Sequence, residues 1–124
     1  MNAMLQAQAA YGQNSRATKT PRDTEYDAIA HITHRMKSAD GQAELFTELV
    51  TALHENRRLW TILSVDVAHP DNPLPQDLKA RLLYLAEFTD AHSSRVLKKE
   101  ASAAPLIEIN TAVMRGLRER TDVQ

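Results

Sequence analysis

The sequence predicts an all-α fold, a small antiparallel bundle of three to four main helices with a short N-terminal helix or segment ahead of it. Three observations carry that expectation. Every patterned stretch repeats its apolar residues at alternating three- and four-residue intervals, the period of one helix face. Only 3 of the 124 residues are glycine and 5% are aromatic, too few for the turn-rich chemistry of an all-β architecture. The 5 prolines fall between the periodic stretches, where they start or stop helices instead of interrupting them.

Residues 2–11 are rich in alanine and glutamine, with Met4, Leu5, Gln8 and Tyr11 at helical spacing. A helix this short is marginal alone. Residues 12–19 are polar and unpatterned, so residues 1–19 read as a linker-tethered segment, either mobile or packed over a groove, within a single domain spanning 1–124. Thr20 then offers a hydroxyl N-cap, Pro21 suits the first helical position and Asp23 faces the positive end of the dipole. The helix that follows should run to about residue 38 and bury Tyr26, Ile29, Thr33 and Met36.

Asp40 is placed to cap the next helix, with Gly41 at its start. Leu45, Leu49, Ala52, Asn56, Trp60, Leu63 and Val67 form its stripe, widened by Phe46, Val50, Leu53, Leu59 and Ile62. This longest helix must stop at HPDNPLP, residues 69–75, because three prolines remove donors and bias each preceding residue away from helical backbone. Pro75 suits the first position of a third helix carrying Leu78, Leu82, Leu85, Thr89, His92 and Val96, with Asp77 and Arg81 paired four apart outside. That helix ends near Lys98 and Lys99, cations suited to a C-terminus. Pro105 opens the last helix, where Leu106, Ile109, Val113 and Leu117 make one stripe and Ile107, Asn110 and Met114 an adjacent one.

A formal net charge of -1 leaves no global field to gather phosphates, which argues against a general nucleic-acid binder. The absence of cysteine removes disulfides, thiolate metal sites and a cysteine nucleophile. No apolar run approaches the ~20 residues of a membrane span, and no lysine or arginine precedes an apolar stretch in residues 1–11 as it would in a signal peptide. The expected location is the cytoplasm.

Catalytic and metal chemistry find no foothold. His31 and His34 lie three apart but lack a third ligand at motif spacing, and Arg58 occupies the second histidine position of an HExxH begun at His54. Ser64, Asp66 and His69 are close in sequence without a nucleophile elbow or glycine-lined oxyanion hole. Neither a P-loop nor a GxGxxG is present, so no enzyme activity and no cofactor are expected. Lys98, Lys99, Arg115, Arg118 and Arg120 read as a solvated surface or an RNA contact, the latter without the aromatic residues that stack on bases.

Two places admit a partner. Asn56 and Trp60 fall on the apolar stripe with Arg57 and Arg58 beside them, which suits either a core flanked by arginines or a contact surface. The two apolar stripes of the last helix exceed what one neighbour covers, so the helix either lies centrally or leaves a docking face. In the second case Leu106, Ile109, Val113 and Leu117 face the core, and Ile107 and Met114 receive the partner under a shield containing Tyr11. The candidate partner-binding residues are Tyr11, Asn56, Arg57, Trp60, Ile107, Asn110 and Met114.

The stretch NRRLWTILSVDVAHPDNPLP at residues 56–75, the PRDTEY entry at 21–26 and the closing PLIEINTAVMRGL at 105–117 together resemble the FlaF family of flagellar biosynthesis proteins. That resemblance covers nearly the whole chain and implies a small helical factor. It would bind flagellin as an export chaperone and couple flagellin synthesis to flagellum assembly, in opposition to the regulator FlbT. AYGQNS at residues 10–15, with Thr18 and Pro21, is similar to the N-terminal segment of FliS-type flagellin chaperones, a likeness that ends after Pro21. It implies that the region of Tyr11 lies over a flagellin-binding groove. The competing expectations are a post-transcriptional regulator that touches flagellin messenger RNA and a structural adaptor of the export apparatus.

Overall fold

The computed structural model describes the backbone of residues 21–123 and the side chains of residues 25–117. Four helices follow one another: α1 (Pro21–Ala39), α2 (Phe46–Ala68), α3 (Gln76–Leu97) and α4 (Ala104–Val123), with a single 3-10 turn at Ala43–Leu45 before α2. Short connections between contacting neighbours make the bundle antiparallel. α2 packs on both α1 and α3, and α4 packs along α1 while touching α3 far less. The expected helix and cap at residues 2–11 and at Thr20 lie outside the described residues.

The helix boundaries depend on capping chemistry that the sequence only partly exposed. Gly41, at φ 79°, ends α1 in the left-handed conformation that glycine adopts without a Cβ penalty. Asp40 therefore does not cap α2 as expected. Its carboxylate crosses to the start of α4 instead, where Oδ1 accepts the Ala103 N–H at 2.9 Å and Oδ2 accepts the Ser102 hydroxyl at 2.7 Å. One acidic side chain thus satisfies a donor at the positive end of a helix remote in sequence. α3 closes in a Schellman pattern, with Lys99 N–H donating to the Val96 carbonyl and Glu100 N–H to that of Arg95, each at 2.9 Å. The left-handed position belongs to Lys99 at φ 62°, and its ammonium lies 4.5 Å from the centre of the Phe46 ring.

The proline-rich connection is held by Asn72. Its amide nitrogen donates to the Asp66 carbonyl at 3.1 Å, which also accepts the His69 N–H at 3.2 Å at the end of α2, and its Oδ1 accepts the Leu74 N–H at 3.0 Å. Pro75 is the N-cap of α3 rather than its first residue, and Pro105 is the second residue of α4. Asp77 and Arg81 are exposed and form no ion pair with each other.

Burial is zoned along the bundle axis. At the lower end, which carries residues 40–45 and 98–103, one core joins Ile32, Met36, Leu49, Leu53, Val96 and Leu106 from all four helices. At the upper end, around residues 69–75, Ile29 and Val67 are buried, while Leu63, Leu78, Leu82, Leu83, Val113 and Met114 are only half-buried. Ile62, expected to widen the α2 stripe, is 61% exposed, because it points away from the arc that runs through Ala52, Asn56 and Trp60. Val65 and Tyr84 are also exposed.

Candidate functional site

Each helix carries a buried polar residue near the middle of its apolar face, Thr33 on α1, Asn56 on α2, Thr89 on α3 and Asn110 on α4, and α3 buries His92 and Ser93 as well. The antiparallel arrangement brings all four to a similar height, forming a polar belt between the tight lower core and the looser upper end. Asn110 is the hub of the belt. Its Nδ2 donates to Asn56 Oδ1 at 2.8 Å and to Thr33 Oγ1 at 3.0 Å, and its Oδ1 accepts the Trp60 indole N–H at 2.9 Å. Thr33 passes its own proton to the Ile29 carbonyl at 2.6 Å. The network thereby ties α1, α2 and α4 together with no water-exposed member: Asn56 and Asn110 are 0% exposed.

The structure therefore brings three of the sequence candidates, Asn56, Trp60 and Asn110, into one interior hydrogen-bonded cluster. Their side chains face the bundle, not its surface. Arg57 behaves differently. It spans from α2 to α3, donating through Nη2 to the Asp90 carbonyl at 2.7 Å and to Ser94 Oγ at 2.6 Å, with Nε 3.1 Å from Asp90 Oδ1 but off the hydrogen-bonding direction. A second cross-helix pair joins Arg35 of α1 to Glu55 of α2.

The division of α4 into a core stripe and a separate docking stripe is not what the helix shows. The fully buried line runs from Ala103 through Leu106 of one stripe and Asn110 of the other, so the remaining residues of the two stripes flank it. Ile109, Val113, Ile107 and Met114 are all half-buried, and Ile107 packs against the lower core. The cause is Asn110, whose belt partners draw it to the centre of the buried face. Tyr11 lies outside the described residues.

Sequence reasoning placed Thr33 and Thr89 on apolar faces but gave them no part in a site. The available signal was a hydrogen-bonding side chain within the apolar face of every helix, with Thr89 and His92 both on that of the third, which has meaning only once the helices are paired. Other groupings stay apart. His31 and His34 are exposed, and among the described residues no three histidine, aspartate or glutamate side chains converge on a metal-sized space. The Ser64 hydroxyl donates to the Thr61 carbonyl and His69 lies beside Asp71, so they share no proton path.

A groove of about 390 Å³ opens between α2 and α3 next to the belt, bordered by Arg57 and Trp60 on one side and Leu83, Ala86 and Thr89 on the other. No described helix is long and apolar enough to cross a membrane. No curated protein and no solved structure matches the chain. The family model described as flagellar protein FlaF does match, over residues 7–117, a span that takes in all four belt residues, the Asn72 connection and most of α4. A match over that much of the chain means that this protein belongs to the FlaF family of flagellar proteins.

Proposed function

We propose that this protein binds flagellin as an export chaperone and couples flagellin synthesis to flagellum assembly, without catalysis. Family membership supports the flagellar role. The observation that carries the binding role is the zoning of the bundle. Its lower half is closed by a core shared among four helices, whereas its upper half leaves Leu78, Leu82, Leu83 and Met114 half-exposed to the surroundings. An export substrate must be held short of assembly, and apolar surface between helices can do this by accepting an amphipathic helix. In this reading Arg57 and Met114 stand near the contact, while Asn56, Trp60 and Asn110 act from inside by fixing the helices that form it.

Co-purification with flagellin tests the reading. The expected complex survives high salt, because apolar burial is not screened. A preparation that leaves flagellin behind and binds flagellin messenger RNA in a salt-sensitive way would favour the regulator instead. The arrangement of cations supports RNA less well, since Lys98 and Lys99 sit at the lower end and Arg115 lies three turns up α4. The chaperone reading includes a functional link to FlbT, so adding FlbT to the complex should shift the amount of flagellin retained.

A further inference from the structure

α3 carries two helical stripes, and only one of them is covered. The inner stripe runs through Thr89, Ser93 and Val96, all buried. Asp90 and Ser94 lie beside it on the side that meets Arg57 of α2, so the residues on its other side point away from α2. On that side the only neighbour is α4, which touches α3 far less than α2 does. Asp77, Arg81, Tyr84, Phe88, Ala91 and Arg95 follow one another there at alternating four- and three-residue steps, the spacing of a coiled-coil seam. All but Phe88 are exposed, Tyr84 at 65%, and Phe88 is half-buried. The Phe88 ring is held in place by stacking on His92, with 5.3 Å between ring centres. Asp77, Arg81 and Arg95 enter no ion pair among the described residues.

This outer stripe has opposite charges at its two ends and aromatic rings between them, and it complements itself when reversed. A second copy laid antiparallel, with a twofold axis level with Ala86, sets Asp77 opposite Arg95 and Tyr84 opposite Phe88, and the symmetry makes each pair twice. Arg81 then faces Ala91, whose short side chain leaves it room. Parallel pairing would instead bring Asp77 onto Asp77 and each arginine onto its own copy, like charges throughout. We infer that the outer stripe of α3 is a homodimer surface that receives the α3 of a second copy of this chain in antiparallel register. The inference is independent of the chaperone reading. A contact built on one pair of helices falls below the about 1,200 Å² of a stable complex, so the dimer is transient and forms at roughly 10 to 100 μM.

Sedimentation velocity from about 1 μM to about 1 mM tests this on the wild-type protein and on Asp77→Arg, Arg95→Asp and Tyr84→Ser. All three positions are exposed, so each variant should keep its helical circular dichroism. Asp77→Arg alone places arginine against arginine at both ends, and Arg95→Asp alone places aspartate against aspartate. Each should weaken self-association by about tenfold or more, and Tyr84→Ser should do so without any change of charge. An equimolar mixture of Asp77→Arg and Arg95→Asp restores both attractive pairs, so it should form a heterodimer at wild-type concentrations. A wild-type protein that stays monomeric throughout overturns the inference, as does a charge variant that self-associates like wild type or a mixture that stays monomeric. If the wild type is monomeric and Tyr84→Ser fails to co-purify with flagellin, the stripe serves flagellin instead, and the homodimer is refuted while the chaperone reading gains a contact.

Discussion

Asn110 spends both amide protons and its carbonyl oxygen inside the bundle, so shortening it leaves the Trp60 indole N–H and Asn56 Oδ1 stranded at once. With each stranded buried group costing about 1 to 3 kcal/mol, Asn110→Ala should lose about 3 kcal/mol or more in urea denaturation, far beyond what its small volume suggests. Trp60→Ala removes both the indole donor and most of a buried ring, and should cost about 3 to 5 kcal/mol. The two effects should not add. Once Asn110 is gone, Trp60 has already lost its partner, and a double-mutant cycle should return a coupling above about 0.5 kcal/mol. A strictly additive double mutant would show that the belt bonds contribute nothing beyond packing.

At the scale of the helix, two glycines separate backbone strain from crowding. A Cβ added at either Gly41 or Gly116 would meet nothing within 4 Å. Gly41, however, sits at φ 79°, while Gly116 lies within α4 without such a constraint. Gly41→Ala should therefore destabilise the protein by about 1 kcal/mol, and Gly116→Ala should stabilise it by about 0.5 to 1 kcal/mol, through helix propensity alone. Chemical denaturation of both variants checks the opposite signs. The tertiary cap at Asp40 belongs to this scale too: Asp40→Ala frees the Ala103 N–H and the Ser102 hydroxyl and should cost about 1 to 2 kcal/mol, whereas Asp40→Asn keeps an acceptor and should cost less. On α4, a charge at Ile107 should lower stability because that side chain packs on the lower core, while a charge at Met114 should act mainly on flagellin capture.

The whole molecule is a bundle with one tight end and one loose end. Amides near Met36 and Leu53, within the shared core, should exchange with solvent only through global unfolding. Amides near Leu82, on the half-buried stretch of α3, should exchange through smaller local openings and become protected when flagellin binds. Hydrogen-exchange mass spectrometry with and without flagellin measures both. Uniform protection along α3 in the free protein would remove the mechanical distinction between the two ends.

The sequence by itself determined the class of fold, the four helices and the proline loop that reverses the chain, because apolar periodicity and proline chemistry act locally and are written in neighbouring residues. It also placed Thr33, Asn56, Trp60, Thr89 and Val96 on inward faces, where the structure has them. Only the tertiary structure decided what those polar residues do. Asn110 meets Asn56 across 54 positions, and Asp40 reaches Ala103 across 63, distances over which no local pattern carries information. For the same reason Asp40 looked like the cap of the helix that follows it, and α4 looked like two separable stripes. A hydrogen bond is satisfied by whichever donor folding brings within about 3 Å, and that choice belongs to the packing of helices rather than to any one of them.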